Sequence, residues 1–237
     1  MNYVGIDISK DKFDIALLEG KKAKHKVFKN NEDGFERLLE WLGKIRPIHA
    51  CMESTGRYGD NLAIFLHEKG LRVSIVNPAC VKAFAQSQLR RNKNDKVDAL
   101  LIARFCQVNE PEAWIPPSKQ VRELIELTRR ITHLKGLQQS ELNHRGSGIS
   151  SEAAMKSAEK MIDLLGEEIE RLEERISEII DSDDDLKGKK ELLKTIPGIS
   201  DRTAEVILSE TKGGIDNFGN ARQLAAYAGI TPKTSQS

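Results

Sequence analysis

The order of apolar patterns predicts an α/β domain built on a mixed sheet, followed by mostly α-helical segments. Three observations carry this. Three short β-type runs crowd into residues 3–29. Helical periodicity then alternates with two further short runs as far as residue 77. Beyond the Pro116-Pro117 pair every periodic stretch is helical. A chain of 237 residues has room for one large or two modest domains.

The elements follow in order. Residues 3–8, YVGIDI, form an apolar run that ends in an acid, and 12–18, KFDIALL, follow a short polar turn. Residues 22–29, KAKHKVFK, alternate loosely and suit an edge strand with lysines on its open face. A helix is expected over 31–44, where Phe35, Leu38, Leu39 and Leu42 recur at helical spacing. Residues 48–52, IHACM, make a short buried strand ending at Glu53. A helix over 58–69 closes at Gly70, and the strand 72–77 stops at Pro78. Residues 79–88 suit a helix, 89–94 a basic loop, and 95–108 a helix carrying Leu100, Leu101, Ala103 and Phe105. The order βββαβαβ is that of the ribonuclease-H-like fold, in which the first and fourth strands lie side by side at the centre.

From Ser118 the pattern changes. Residues 119–143 predict a long helix, and Arg145-Gly146-Ser147-Gly148 breaks it. Ser150 or Ser151 then caps a second long helix. In it Met155, Ala158, Ile162, Leu165, Ile169, Leu172, Ile176 and Ile179 step by threes and fours, a narrow seam that suits a coiled-coil hairpin or a dimer contact. The acidic run 181–185 reads as a solvated loop. Residues 192–208, LLKTIPGISDRTAEVIL, match a helix-hairpin-helix. There the turn at Gly198 and the helix start at Ser200 would offer backbone N–H groups to a nucleic-acid phosphate. The expected domains are 1–117, 118–185 and 186–237.

The net charge of +1 neither favours nor excludes nucleic acid, so local distribution must decide. Cys51, Cys80 and Cys106 make no disulfide framework or zinc pattern, which fits a reducing cytoplasm. No apolar stretch has the length of a membrane span, so no membrane partner is expected.

The charge step RRNKNDKVDA, residues 90–99, sets Asp95 and Asp98 three apart behind a cationic cluster. Two readings compete. The carboxylates could cap a helix and complement its dipole. Alternatively they hold a divalent cation against a phosphate, with Arg90, Arg91 and Lys93 on the nucleic-acid backbone. Asp7 and Glu53, at the ends of the two strands that the fold makes neighbours, favour the second. Four carboxylates in one cleft repel unless neutralised, and paired Mg²⁺ ions do that while clamping a phosphoryl transfer.

The segments GIDISKDKFDIAL, MESTGRYGDNLAIFL, VSIVNPACVKAFAQS, RNKNDKVDALLIARF and LLKTIPGISDRTAEVILSE, with FGNARQLAAYAGITP, resemble the DEDD transposases of insertion sequences. These are bridge-RNA-guided recombinases related to the Piv-type DNA invertases. The resemblance implies a RuvC-like domain with the tetrad Asp7, Glu53, Asp95 and Asp98, using Mg²⁺ or, in its place, Mn²⁺. It implies a coiled-coil hairpin for dimerisation, and DNA, a guide RNA and a homodimer or tetramer as partners. It implies a serine nucleophile shortly after AGITP, which maps to Ser237, with Ser235 as a weaker candidate; relative to the family the sequence is truncated at its C-terminus. Two alternatives are a RuvC-type endonuclease that activates water, and a non-catalytic fragment that binds nucleic acid and dimerises.

Overall fold

The computed structural model describes residues 1–20, 22–54, 56–87 and 95–231, without the side chains of Asp95 and Lys96. Arg90, Arg91, Lys93, Ser235 and Ser237 lie outside the described residues. The chain divides into two compact units, Met1–Pro116 and Pro117–Ser237.

The first unit is built on five strands, β1 (Asn2–Ile8), β2 (Lys12–Glu19), β3 (Lys22–Lys29), β4 (Ile48–Glu53) and β5 (Arg72–Val76). Their order across the sheet is β3-β2-β1-β4-β5. β2 runs antiparallel to β1 and β3, whereas β4 runs parallel to β1 and β5. This topology is compatible with a RuvC-like, ribonuclease-H-like fold. Helices α1 (Glu32–Leu42), α2 (Asp60–Glu68), α3 (Pro78–Ser87) and α4 (Asp95–Asn109) complete the unit.

Strand alternation sorts the side chains into two cores. Val4, Ile6, Phe13, Ile15 and Met52 pack with Leu38 of α1 and Leu62 of α2. On the opposite face Tyr3, Ala16, Leu18 and Cys51 pack with Ala99, Ile102 and Cys106 of α4. Because both faces are covered, β1 and β2 read as nearly unbroken apolar runs rather than as alternating ones. The expected helix over 58–69 is divided: a 3₁₀ turn at Gly56–Tyr58 precedes α2.

The second unit contains α5 (Lys119–Gly146), α6 (Glu152–Asp181), α7 (Asp184–Lys194), α8 (Asp201–Glu210) and α9 (Ala221–Tyr227). α5 and α6 pair antiparallel, with Arg175 on Glu123 at 2.9 Å and Gln138 Nε2 donating to the Ile162 carbonyl at 3.2 Å. Ser151, one of the two expected caps, accepts from Ala154 N–H. The seam is buried at Ala158, Ile169, Leu172, Ile176 and Ile179, but only half-buried at Met155, Ile162 and Leu165. The acidic run is a helix junction rather than a solvated loop. Asp183 N-caps α7 by accepting from Asp185 and Leu186 N–H, and Asp184 and Asp185 lie in that helix's first turn, where acids complement the dipole. Among the described residues no helix is long and apolar enough to cross a membrane.

A buried ion pair ties α6, α7 and α8 together. Lys190 Nζ lies 2.8 Å from Glu205 Oε1, and Ser177 Oγ donates to the same oxygen at 3.2 Å. Arg202 reaches the other Glu205 oxygen at 3.1 Å and Glu173 at 2.8 Å. Burial opposes the Lys190 charge, but the carboxylates of Glu205 and Asp201 outweigh it and raise the ammonium's pKa. Glu205→Ala strips this buried lysine of its nearest counter-charge. Urea unfolding of the variant is expected to show a loss of about 3–5 kcal/mol, against under about 1 kcal/mol for Arg175→Ala at the surface.

Candidate active site

The two strand-end acids are neighbours. In the parallel pairing of β1 and β4, Ile6 stands opposite Met52, so the next step brings Asp7 beside Glu53. Both sit at the carboxyl ends of their strands. By alternation Asp7 shares a face with Tyr3 and Gly5, and Glu53 shares it with Cys51. That is the face covered by α4.

The direction of α4 then fixes where its acids lie. Tyr3 Oη donates to Glu110 Oε1 at 2.9 Å, just past the helix's last residue. That hydrogen bond, with burial, raises the Tyr3 pKa and keeps the phenol protonated. Two residues along β1, a side chain on Gly5 would strike the Ala99 carbonyl oxygen and the Ala103 amide of α4. The helix therefore runs antiparallel to β1, and its first turn, with Asp95 and Asp98, lies toward Asp7 and Glu53. Asp7, Glu53 and Asp98 are all half-buried. Asp95 is the first residue of α4, and its side chain lies outside the described set. Among the described residues no three His, Cys, Asp or Glu side chains converge on one metal-sized point, and the Asp95 carboxylate is not part of that statement.

One charged group at this face was missed in the sequence. Asp14 stands directly opposite Asp7 on β2, is 5% exposed, and is held by His25 Nε2 at 2.9 Å and Lys12 Nζ at 3.2 Å. The available signal was an acid inside the apolar run KFDIALL. The thiols of Cys51 and Cys106 are fully buried on the same face, and Cys106 Sγ donates to the His49 carbonyl at 3.8 Å. Its hydrogen bond to Cys106, together with burial, pushes the Cys51 thiol up. His49 is a buried structural group, 2.8 Å from the Ser74 hydroxyl.

In the second unit, α7 and α8 flank the turn that carries the other predicted contacts. Gly198 adopts φ +90°, which a glycine takes without strain. Ser200 N-caps α8, its hydroxyl accepting from Thr203 N–H at 3.3 Å. Lys194 at 3.0 Å and Lys190 at 3.4 Å compensate Asp201, and their hydrogen bonds hold its carboxyl below the usual range.

A sheet with paired acids at its central strand ends and a D-x-x-D helix across it defines a candidate phosphoryl-transfer centre on DNA. A family model of DEDD-type IS110 transposases matches residues 4–147, and one described as "Transposase IS116/IS110/IS902 family" matches 190–237. Over 240 residues the chain is 32% identical to a pilin gene-inverting protein of Moraxella bovis and equally to one of Moraxella lacunata, covering 99% of this chain and 73% of each relative. The chain belongs to the IS110 family of transposases and is a DNA recombinase.

The close approach of α4 to β1 yields a direct expectation. Gly5→Ala forces backbone atoms of α4 to move, and thermal unfolding is expected to show a loss of about 1–3 kcal/mol. Gly136→Ala, inside α5 with open space at the Cβ position, is expected to be stabilising by up to about 1 kcal/mol.

Proposed function

We propose that this protein cuts and rejoins DNA with a tetrad of Asp7, Glu53, Asp95 and Asp98 and a serine nucleophile at Ser237. The observation that carries the reading is the adjacency of Asp7 and Glu53 on the face where α4 begins. An all-carboxylate donor set suits a hard divalent cation. Mg²⁺, or Mn²⁺ in its place, would when bound neutralise these acids and the phosphate oxygens between them.

The residues divide the work. The sheet holds the backbone of the two strand-end acids, and the Gly5 contact holds the backbone of the helix that carries the other two, which supports a preorganised site. The Ser237 hydroxyl attacks phosphorus: an Oγ–P bond forms, the P–O3′ bond breaks, and the serine proton ends on the 3′ oxygen. The serine ester conserves the bond energy for rejoining. The Gly198–Ser200 turn and Arg90, Arg91 and Lys93 would contact backbone phosphates.

Guidance by a bridge RNA is supported by family membership. Dimerisation or tetramerisation through α5 and α6 is supported by the exposed apolar side chains Leu137, Met161 and Leu164 on these helices. Action on DNA fits a cytoplasmic protein.

Calorimetry with duplex DNA present tests the metal site, and a strand-cleavage assay tests the chemistry. Asp7→Asn, Glu53→Gln and Asp98→Asn are each expected to weaken Mg²⁺ binding and to lower cleavage by about 10²–10³-fold, the scale for removing one preorganised electrostatic group. Ser237→Ala is expected to abolish a covalent DNA adduct on denaturing gels. Unchanged metal binding in all three acid variants would sink the tetrad. Nicking without an adduct by the parent would replace the serine with water.

A further inference from the structure

At the edge of the sheet a cleft of about 630 Å³ opens between β3 and α1. Four cations, Lys12, Lys26, Lys29 and Arg37, line it against two acids, Asp33 and Glu40. Arg37 already pairs with Asp33 at 3.2 Å. Among the described residues no acid pairs with Lys26 or Lys29. Lys26 Nζ instead sits 5.2 Å over the Phe28 ring. Phe28 and the edge-on Trp41, with centroids 6.0 Å apart, give Lys26 an apolar floor.

The positive charge continues toward the acids. Lys12 stands opposite Lys29 in the β2–β3 register and reaches Asp14, which stands opposite Asp7. From β3 to β1 is two strand spacings, about 10 Å. The cleft floor lies on the α1 face, and Lys12 and Lys29, which alternation places on the α4 face with Asp14, carry the positive charge round the β3 edge toward the acids. Ammonium groups attract phosphate as point charges without reading bases, which suits backbone rather than sequence recognition.

We infer that the β3–α1 cleft holds the phosphates of the DNA strand flanking the cleavage point. The inference rests on the acidic face being the catalytic centre. Its rival is that the lysines only keep a solvated edge strand from pairing with other chains.

The test is fluorescence anisotropy of labelled duplex DNA with the whole 237-residue chain over a series of salt concentrations. Lys26→Glu/Lys29→Glu is expected to weaken binding and to flatten the plot of log affinity against log salt by about 1.8, two phosphates at ~0.9 each. Lys44→Glu/Lys69→Glu makes the same charge change at exposed positions outside the cleft and is expected to keep the parental slope. Circular dichroism melting verifies that each variant folds, and Lys26→Gln/Lys29→Gln reports the same slope change without added acids. A parental slope in both cleft variants overturns the inference, as does a loss confined to single-stranded RNA of the same sequence. Asp7→Asn separates the two readings. It is expected to bind DNA with the parental salt slope and fail to cleave, whereas parental cleavage would remove the catalytic centre and the inference with it.

Discussion

The first unit depends on a backbone contact between a helix and a strand. Gly5 has no side chain, so α4 lies directly on β1 with Ala99 and Ala103 against it. A helix held this closely can neither slide nor rotate without collision, because a packed core is bistable rather than continuously deformable. Tyr3 with Glu110 and Cys106 with the His49 carbonyl pin one end, and the Gly5 contact pins the middle. The remaining end, the first turn, has its position decided by the other two. The backbone positions of Asp95 and Asp98 inherit their relation to the ends of β1 and β4 from contacts made elsewhere along the helix.

That arrangement gathers like charges, and the fold manages them by placement. Asp98 stands in the first turn of α4, at the positive end of its dipole, which favours a carboxylate there. Asp14 would add a further negative charge beside Asp7, but Lys12 pairs with it and His25 hydrogen-bonds to it. Half-burial of Asp7, Glu53 and Asp98 keeps their interactions stronger than at an open surface. The same Lys12 also lines the basic cleft beyond. A single lysine thus links the group that neutralises the acidic face with the surface that would attract its polyanionic substrate.

Much of this was legible in the sequence. The three crowded strands followed by alternating helix and strand suffice for the sheet order, because parallel β1 and β4 require the crossover that α1 supplies. Asp7 and Glu53 were visible as acids that end apolar runs. Asp14 was not, since an acid within KFDIALL reveals its partners only when β3 brings His25 alongside. The acidic run 181–185 looked like a loop because charge density suggests solvation, yet Asp183 satisfies two amides that would otherwise lack partners. The seam of α6 read as uniform, but before Ile169 it is only half-buried at Leu165, Ile162 and Met155, while Ala158 is buried. Periodicity reports which residues share a stripe, while the depth of burial depends on what lies opposite.

The proposed phosphate contacts at the α7–α8 turn and at the β3–α1 cleft differ in physical kind. At the α7–α8 turn the ionic groups are largely spent on one another: Lys190 and Lys194 serve Asp201 and Glu205, and the Ser200 hydroxyl serves the helix cap. Affinity there must come from backbone N–H groups and a rigid turn, which the buried Glu205 pair holds in place. At the β3–α1 cleft the backbone is an ordinary strand edge, and the asset is the charge of Lys26 and Lys29, with which no described acid pairs. Directed amide hydrogen bonds demand a defined geometry and screen little, whereas exposed ammonium groups tolerate many geometries and screen strongly with salt. The turn is therefore suited to fixing register on a nucleic acid, and the cleft to drawing a strand in and letting it move.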